Sequence, residues 1–459
     1  MGKLNVEKII AENKFNRFHF WLIFWSFIII LFDGYDIVVY GTAVPVLIEE
    51  WGLSSVEAGA MGSAGLFGML FGAVLLGMIA DRFGKKKVVI LSILLFSVFT
   101  FLCGLAGSPS QFTVYRFLAG LGLGGVMPNV IAICTEYAPA RLRSFVISFV
   151  LVAYSIGGML APVLGITLMP HFGWDSLFLV AGFPLLLIPV LLKVIPESTA
   201  YLLQKGKKDD VIRILSKVVP DVRISRDADL TVSEVVQSKV PLIGLFKNKR
   251  ARSTILFWIT YFMSLLMVYG LNTWLPNLMI EAGYGLNSSL AFLMVLQGGS
   301  IIGTITVAHL SMKYDFKKML ASLYALGAVA IALLGLGGYT LYIYLLVGIA
   351  GASSIGAQHL IQAYVSQYYP PNIRSTALGV ASGMGRLGGC WDRRSEVFFC
   401  LYRRPFKSIS SHLLFRELSP QLHWHSYQET GPMLTKSKLL QNMKINMMSN
   451  QKQEYDFAG

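Results

Sequence analysis

The chain has 459 residues, of which 54% are hydrophobic and 14% are charged, and its mean hydropathy is +0.60. Soluble domains carry about 25% charged residues, so this composition excludes an ordinary soluble globular protein and favours a membrane protein. The formal net charge is +14. It requires no nucleic-acid partner, because the basic cytoplasmic flanks of membrane helices account for most of it.

Apolar stretches long enough to cross a bilayer, which takes about 20 residues in a helix, recur along the chain. Because lipid provides no hydrogen-bond partner for a free backbone group, each stretch is predicted to be an α-helix. The predicted membrane helices cover residues 20–47, 56–80, 87–107, 110–136, 144–168, 174–195, 253–280, 288–311, 317–338 and 340–367, and an eleventh begins near residue 373.

Lysine and arginine occur in alternate connections between these helices. The connections that contain them, here called the basic side, are the N-terminus and residues 82–87, 141–143, 196–250, 313–318 and 374. The connections that contain none, here called the neutral side, are residues 48–55, 108–109, 169–173, 281–287 and 339. Basic residues collect in cytoplasmic loops. The pattern therefore predicts a multi-pass protein of the inner (cytoplasmic) membrane with a cytoplasmic N-terminus and no cleaved signal segment.

Separate regions of the chain repeat at one fixed offset. Residues 120–144 align without a gap with residues 351–375, and Pro45 aligns with Pro276, 231 positions later. One offset shared by separate regions indicates a duplicated half. Duplicated halves in an apolar chain are typical of secondary transporters, which move one half against the other.

Three motifs resemble the major facilitator superfamily of membrane transporters. The loop G-M-I-A-D-R-F-G-K-K-K at residues 77–87 is similar to the signature between its second and third helices. The run R-F-L-A-G-L-G-L-G at residues 116–124 resembles its fourth-helix signature, and Pro-Glu-Ser at residues 196–198 resembles the motif after its sixth helix.

Within that superfamily, three further stretches resemble the aromatic acid:proton symporters, and among these the benzoate-type carriers. The stretches are D-G-Y-D at residues 33–36, G-L-G-L-G-G-V-M-P-N at residues 120–129 and G-M-G-R-L-G-G at residues 383–389. The resemblance implies an all-α membrane protein with the major facilitator fold, built from two pseudo-symmetric six-helix bundles. It implies an N-terminal bundle at residues 1–195, a cytoplasmic linker at 196–250 and a C-terminal bundle at 251–389. Residues 390–459 depart from the family pattern and are predicted to be an atypical polar tail.

The family pattern stops at Gly389. The repeat predicts an eleventh helix at residues 375–399 and a twelfth at 405–426, but C-W-D-R-R-S-E follows Gly389 and no later window is apolar enough to span a bilayer. We therefore expect the eleventh helix to be disrupted and the twelfth to be missing. A change of reading frame near codon 389 explains this pattern, and a native polar tail is the alternative. Re-sequencing the gene at that codon distinguishes the two.

Four charged residues lie inside apolar stretches at a similar depth. Asp33 and Asp36 share a helix face because they are three residues apart, whereas Arg116 and Arg386 lie in two other predicted helices. A rise of about 1.5 Å per residue, counted from the helix ends, puts Asp33, Arg116 and Arg386 at similar depths, so one or two acids and two arginines converge on one layer. Charges inside a membrane are expensive and usually functional.

The chemistry of these residues points to an anion site coupled to protons. Arginine offers a planar fork that matches a carboxylate, and a buried aspartate can take up a proton. We predict that Asp33 and Asp36 couple transport to protons and that Arg116 and Arg386 bind the substrate. A static ion pair between helices is the alternative. The repeat favours the functional interpretation, because neither Asp33 nor Arg116 has a charged counterpart in the second half.

Five further residues are candidates for contact with an aromatic substrate. Aromatic side chains can stack on a ring, histidine can carry a proton, and a polar residue beside a mid-helix proline is common near carrier sites. Packing is the alternative for the aromatic residues, and a neutral hydrogen-bonded state is the alternative for the histidine. The candidates are Asn129, Tyr35, Tyr40, Trp274 and His359.

The family resemblance also implies a conformational lock on the basic side that holds the outward-open state. Its central residue is Asp81, an acid that departs from the basic pattern of its loop and is expected to pair with basic partners. For Arg82 a role in membrane topology alone is the alternative. The other predicted lock residues are Gly77, Gly84, Glu136 and Arg143.

The sequence thus predicts a carrier and not an enzyme. It is expected to take up an aromatic carboxylate, such as benzoate or a hydroxybenzoate, together with a proton by alternating access. The expected partners are this substrate, the proton and the lipid bilayer, with no cofactor, metal or nucleic acid. The alternatives are a carrier of another small organic anion, a membrane sensor that does not transport, and an inactive truncated product.

Overall fold

The structure, a computed structural model, describes residues 4–220, 230–231, 245–246, 250–310, 314–369 and 371–394. Within these ranges the chain is almost entirely helical, with one pair of two-residue parallel strands. The strands are β1 (Leu4–Asn5) and β2 (Leu230–Thr231). The helices are α1 (Val6–Ala11), α2 (Arg17–Trp51), α3 (Ser55–Phe83), α4 (Lys85–Cys103), α5 (Pro109–Tyr137), α6 (Arg143–Phe172), α7 (Asp175–Val180), α8 (Pro184–Val194), α9 (Thr199–Gln204), α10 (Lys208–Val218), α11 (Ala251–Glu281), α12 (Leu286–Leu310), α13 (Phe316–Leu334), α14 (Thr340–Tyr368) and α15 (Pro371–Arg394).

Several long helices begin at capping residues that the sequence supplies. Before α3, the hydroxyl of Ser54 accepts a hydrogen bond from the backbone N–H of Glu57 at 3.2 Å, and the Glu57 carboxylate accepts one from the Ser54 N–H at 2.8 Å. This reciprocal capping box satisfies N–H groups that the helix leaves free. Ser108 caps α5, which begins with Pro109, and Asp315 caps α13. These caps place the helix starts close to the predicted boundaries.

The predicted membrane helices are confirmed, with one difference. Ten helical stretches in the described ranges are long and apolar enough to cross a membrane. The sixth, predicted as one helix at residues 174–195, consists of α7 and α8. Gly182 and Pro184 lie at the break, and proline has no N–H to donate and crowds the preceding turn. The eleventh predicted helix is α15, which is not among the ten.

Large apolar side chains cover the outer surface of the helices. Leu186, Phe145 and Ile302 are 73%, 67% and 66% exposed. An apolar surface of this extent is unusual for a soluble monomer, and the hydrocarbon core of a bilayer covers it. The described helices therefore have the surface of a multi-pass membrane protein.

The repeat found in the sequence also relates the helix contacts of the two halves, α2–α8 and α11–α15. Gly157 of α6 lies against the backbone carbonyl of Leu31 in α2, and Gly388 of α15 lies against the carbonyl of Phe262 in α11. A Cβ atom at either glycine would overlap that carbonyl, so small residues permit this close approach. Three further contacts recur at the same offset: Gly68–Phe117 with Gly299–Gly348, Gly72–Leu121 with Gly303–Ala352, and Gly120–Gly65 with Gly351–Leu296.

Two helix pairs, here called the seams, join the halves. The α3–α15 seam and the α6–α12 seam are exchanged by the repeat. Between the seams α2 crosses α11, where Gly41 lies against the backbone carbonyl of Asn272. Gly41 and Asn272 are themselves 231 positions apart, so this crossing lies on the pseudo-twofold axis.

Both seams are packed on the neutral side. In the α3–α15 seam the Ser63 hydroxyl donates to the backbone carbonyl of Cys390 at 3.2 Å. In the α6–α12 seam Leu290 fills the space beside Gly165. Ser63, Gly165 and Leu290 all lie within about three turns of the neutral-side end of their helices. The halves are therefore joined at this side of the membrane.

The N-terminal segment and the start of the predicted linker pack on the basic side of the first half. Val6 and Ile10 of α1 are fully buried, as are Val211 and Leu215 of α10. The amide of Asn16, at the start of α2, donates to the carbonyl of Val218 at the end of α10 at 2.8 Å. The start of the predicted linker thus contains two short helices, α9 and α10, and α10 is attached to the first bundle.

The proposed boundaries at residues 195, 250 and 389 stay predictions. Helix α15 continues past Gly389 as far as Arg394. Residues 395–459 lie outside the described part of the chain, so the predicted polar tail and the missing twelfth helix are not tested there.

Candidate functional site

A buried ion pair joins α2 to α5 in the layer where the sequence placed four charges. Arg116 Nη1 donates to Asp36 Oδ2 at 3.0 Å, and Nη2 donates to the backbone carbonyl of Asp36 at 3.3 Å. The Thr100 hydroxyl donates to Asp36 Oδ1 at 2.5 Å. Arg116 is 3% exposed and Asp36 is fully buried. Such additional hydrogen bonds offset the cost of taking both charges out of water.

The tyrosine one turn beyond Asp36 supports this pair. The guanidinium carbon of Arg116 lies 5.7 Å from the ring centroid of Tyr40, a distance at which the ring face attracts a cation. The Tyr40 hydroxyl donates to the backbone carbonyl of Ala58 in α3. In this conformation the fork of Arg116 is thus occupied by the carboxylate and the backbone carbonyl of Asp36. This is the ion-pair alternative that the sequence left open, and the roles of Asp36, Arg116 and Tyr40 in transport stay predictions.

The other two charged residues of the layer, Asp33 and Arg386, make fewer described hydrogen bonds than Asp36 and Arg116. Asp33 is 2% exposed, and its Oδ1 meets no hydrogen-bond donor among the described residues. Its carboxylate lies within electrostatic range of Asp36 and Arg386. Arg386 is half-buried, and its Nη1 donates to the backbone carbonyl of Met69 at 3.4 Å. The structure therefore brings Asp33 and Arg386 near each other without a direct ion pair among the described contacts.

Two of the candidate substrate contacts hydrogen-bond to backbone within the first half. The hydroxyl of Tyr35 donates to the carbonyl of Leu177 in α7 at 2.8 Å, and Tyr35 is fully buried. The amide of Asn129 donates to the carbonyl of Gly125, one turn earlier in α5, at 2.8 Å. Packing accounts for the contact that Tyr35 makes, and its predicted role in binding gains no support from it.

Of the two candidates in the second half, Trp274 is buried and His359 is partly buried. His359 Nδ1 lies 3.0 Å from the Thr304 hydroxyl, which links α14 to α12. This is the hydrogen-bonded arrangement named as the alternative for the histidine. Trp274 is 4% exposed and lies two residues from Asn272, at the α2–α11 crossing. Substrate contact by either residue stays a prediction.

Sequence reasoning missed a polar pair in the second half. The Ser264 hydroxyl donates to Gln358 Oε1 at 2.7 Å, and the two residues are 0% and 8% exposed. This hydrogen bond turns the donor nitrogen of the amide away from Ser264. Ser264 aligns with Asp33 through the repeat, a signal that could have found it. Gln358 is uncharged and has no sequence signal of its own.

On the basic side, the short connection between α3 and α4 contacts the Pro-Glu-Ser segment at residues 196–198. Gly84 has a φ of +101°, a conformation that favours glycine. The Glu197 carboxylate occupies the space that a Cβ at Gly84 would fill, and its Oε1 accepts from the backbone N–H of Lys86 at 3.2 Å. A side chain at Gly84 would therefore displace Glu197 as well as strain the turn.

Glu136 connects the same segment to the end of α5. Its Oε1 accepts from the backbone N–H and the hydroxyl of Thr199, both at 2.7 Å, and from the Ser198 hydroxyl at 3.1 Å. Its Oε2 lies 3.3 Å from Lys85 Nζ. The contacts described for Glu136 are with the first half and with the segment that directly follows α8, and they stabilise the basic end of this half.

The remaining lock residues lie at the same end of the bundle. An added Cβ at Gly77 would meet no described atom within 4 Å, so α3 faces open space there. Arg82 is exposed, with its guanidinium carbon 5.5 Å from the ring centroid of Phe83, and Arg143 begins α6. The side chain of Asp81 lies outside the described part of the structure, so its predicted pairing is not tested. The lock stays a prediction.

No metal centre is found in the described ranges. Within them, no group of three or more His, Cys, Asp and Glu side chains is placed to hold a metal ion. The described cysteines, Cys103, Cys134 and Cys390, are buried and not in disulfides.

Comparison with known proteins places this geometry in a family. The pattern of the Major Facilitator Superfamily matches residues 26–391. The benzoate transport protein of Acinetobacter baylyi is 46% identical over 394 residues, which cover 84% of each chain. The gentisate transporter of Corynebacterium glutamicum is 38% identical over 373 residues, covering 80% of this chain and 78% of that protein. The xylose transporter of Escherichia coli in its inward-open conformation superposes with a TM-score of 0.64 at 19% identity, covering 84% of this chain and 90% of that one, a likeness of fold.

Proposed function

The chain belongs to the major facilitator superfamily, and we propose that it carries a small aromatic carboxylate across the cytoplasmic membrane together with a proton. Benzoate and gentisate, named in the two relatives, are both aromatic carboxylates. The identities of 46% and 38% over most of each chain support the same substrate class here. A carrier for another small organic anion is the nearest alternative.

The layer that contains Asp33, Asp36, Arg116 and Arg386 is the observation that carries the proposal. Two acids and two arginines lie inside helices that a bilayer surrounds, where unpaired charge is expensive. Asp36 and Arg116 balance each other through direct contact. Asp33 and Arg386 balance each other at longer range, and Arg386 has a donor fork available for a carboxylate.

Charge balance then couples the anion to a proton. A substrate carboxylate that binds Arg386 neutralises this arginine and leaves Asp33 without a positive partner. An unpaired carboxylate in apolar surroundings favours its protonated form, so anion and proton bind together. When both leave, Asp33 and Arg386 again balance each other, and the empty carrier can return. This scheme gives one proton for each monovalent anion.

The packing of the two halves supports alternating access. The seams are closed on the neutral side, which the distribution of basic loops assigns to the cell exterior. Gly77 faces open space on the basic side. We infer that the described conformation exchanges substrate with the cytoplasm and that the opposite conformation opens the seams and closes the lock around Asp81.

The second half supplies a partner for the far end of the substrate. Ser264 aligns with Asp33 and therefore lies at the same depth, and it orients the Gln358 amide so that its N–H₂ group is free of Ser264. A carboxylate held at Arg386 of α15 leaves the ring substituents to other side chains of the same layer. We assign Gln358 to hydrogen-bond a ring hydroxyl, such as those of gentisate.

Uptake of radiolabelled benzoate into cells that express the chain tests the function. We expect accumulation above the external concentration, its collapse on addition of a proton uncoupler, and competition by unlabelled hydroxybenzoates but not by acetate. Cells that produce an Arg386→Ala variant at equal membrane abundance are the matched control and should show background uptake.

Two outcomes contradict the proposal in different ways. Accumulation that survives the uncoupler would exclude proton coupling and leave the substrate class standing. If uptake of every aromatic acid stays at background while an aliphatic organic anion is taken up, the substrate is an aliphatic anion and the proposed aromatic class is wrong.

A further inference from the structure

Gln297 of α12 is a fully buried amide with no hydrogen-bond partner for either polar atom among the described residues. Its relative exposure is 0%, and both Nε2 and Oε1 lack a partner. Its amide lies in the α6–α12 seam, in a notch formed by Gly158 of α6, where a Cβ atom would overlap Nε2. Val38 of α2 lines the same notch. The amide is therefore enclosed by protein at a contact between the halves.

The repeat provides an internal comparison for this site. Gly158, Val38 and Gln297 align with Gly389, Tyr269 and Leu66. In the α3–α15 seam the ring of Tyr269 and the side chain of Leu66 together fill the notch at Gly389, where Val38 and Gln297 fill the notch at Gly158. The repeat thus forms the same contact between the halves with a leucine at the position of Gln297, so the contact itself does not require an amide there.

We propose that Gln297 weakens the closed α6–α12 seam and thereby keeps it able to reopen. The inference rests on the alternating access of the proposed function. A buried amide without partners costs free energy in the closed seam, whereas water hydrates the same amide when the seam opens. The leucine in the other seam has the opposite preference, since apolar surface favours burial. Gln297 therefore shifts the balance between the two conformations toward the one open on the neutral side.

A cysteine reporter measures this balance directly. Leu290 is fully buried beside Gly165 near the neutral-side end of the same seam. Leu290→Cys, in a background whose four native cysteines are serine, becomes accessible to a maleimide reagent when the seam opens. The protein is labelled in lipid nanodiscs without substrate, so the readout is independent of transport.

Gln297→Leu, which installs the residue of the other seam, should slow labelling of the reporter thiol at position 290 about tenfold. The exchange variant, with Gln297→Leu and Leu66→Gln, moves the amide to the mirror-related notch. Both seams open in the same movement, so the exchange should restore labelling to within about threefold of the parent rate. Leu66→Gln alone should label faster than the parent.

An unchanged or faster rate in Gln297→Leu would overturn the proposal, because the amide would then be neutral or stabilising in the closed seam. Slow labelling that the exchange does not restore would also overturn it, since a role tied to position 297 alone would be indicated. Gln297→Met, which keeps the length of the side chain and removes both polar atoms, replaces the leucine variant if the latter fails to fold. Absence of aromatic-acid uptake by the parent protein would refute the proposed function and leave the labelling result to be judged by itself.

Discussion

Arg116 and Asp36 form an ion pair inside the membrane domain, with 3.0 Å between Nη1 and Oδ2 and less than 4% of either side chain exposed. A buried pair of this kind contributes little net stability compared with apolar residues. Removal of one partner, however, leaves an unpaired charge in apolar surroundings. If the pair holds α2 against α5, substitution of one partner lowers the free energy of unfolding. Loss of a substrate contact would instead raise the half-saturation constant for transport.

Asp36→Asn is expected to lower the free energy of unfolding by about 3–5 kcal/mol, because Arg116 keeps its charge and loses its partner. Adding Arg116→Gln should recover part of this loss, since the double variant has no unpaired charge. Thermal unfolding of the purified protein in one detergent measures the parent and both variants. A double variant that is no more stable than Asp36→Asn would show that the two side chains do not act as a pair.

Asp33→Asn should separate the proton from the substrate. The amide has nearly the shape of the carboxylate and cannot take up a proton, and Asp33 Oδ1 has no described partner to lose. We therefore expect no accumulation against a gradient, while exchange of internal for external benzoate continues. Exchange and accumulation are measured in proteoliposomes with and without a pH gradient.

Glu49→Gln is the matched control, because Glu49 is an exposed acid on the same helix. It should accumulate benzoate as the parent does. Accumulation by Asp33→Asn at the level of Glu49→Gln would exclude Asp33 as the proton site.

Most of the fold could be predicted from the sequence because the membrane makes the pattern simple. Apolar length fixes each helix, and the repeat fixes the relation of the halves, down to glycine contacts such as Gly157 and Gly388. The break between α7 and α8 was missed, because an apolar run does not reveal an interruption. Gly182 and Pro184 were the available signal. The superfamily match ends at residue 391, close to the predicted departure of the family pattern at Gly389.

The sequence predicted the depth of the candidate site but not which of its charges form an ion pair. Counting residues along a helix gives the depth of a charge, so the layer of Asp33, Asp36, Arg116 and Arg386 could be found. The rotation of each helix about its axis decides which side chains meet, and residue counts do not give this rotation. The uncharged residues Gln358 and Gln297 were missed for another reason. Gln358 stands out because its amide is fixed by a hydrogen bond, and Gln297 because its buried amide has no described partner. Only the packed structure reveals either property.

Arg386 and Arg116 should respond differently to lysine. Arg386 is half-buried and contacts only a backbone carbonyl among its described hydrogen bonds, so its fork is available to a substrate carboxylate. Arg386→Lys keeps the charge and loses the bidentate geometry. We expect its half-saturation constant for benzoate to rise about tenfold with little change in maximal rate.

Arg116→Lys, by contrast, loses contacts to Asp36 and should chiefly reduce thermal stability and the amount of folded protein. Initial uptake rates over a range of benzoate concentrations, divided by the amount of protein in the membrane, give both constants. A raised half-saturation constant in Arg116→Lys alone would assign the carboxylate to Arg116, which the sequence predicted as a substrate contact together with Arg386.

Gln358 should set the preference for ring hydroxyl groups. Gln358→Leu removes the amide and leaves Arg386 and Asp33 unchanged, so benzoate uptake should stay within about twofold of the parent. A substrate hydroxyl deprived of its partner loses roughly 1 kcal/mol or more. The half-saturation constants for 3- and 4-hydroxybenzoate should therefore rise about five- to tenfold. For 2-hydroxybenzoate, whose hydroxyl donates a hydrogen bond to its own carboxylate, little change is expected.

Gln362→Leu, one turn further along α14, is the matched control for Gln358→Leu. If the half-saturation constants for benzoate and the hydroxybenzoates rise by the same factor in Gln358→Leu, the amide stabilises the helix packing and does not bind the ring hydroxyl.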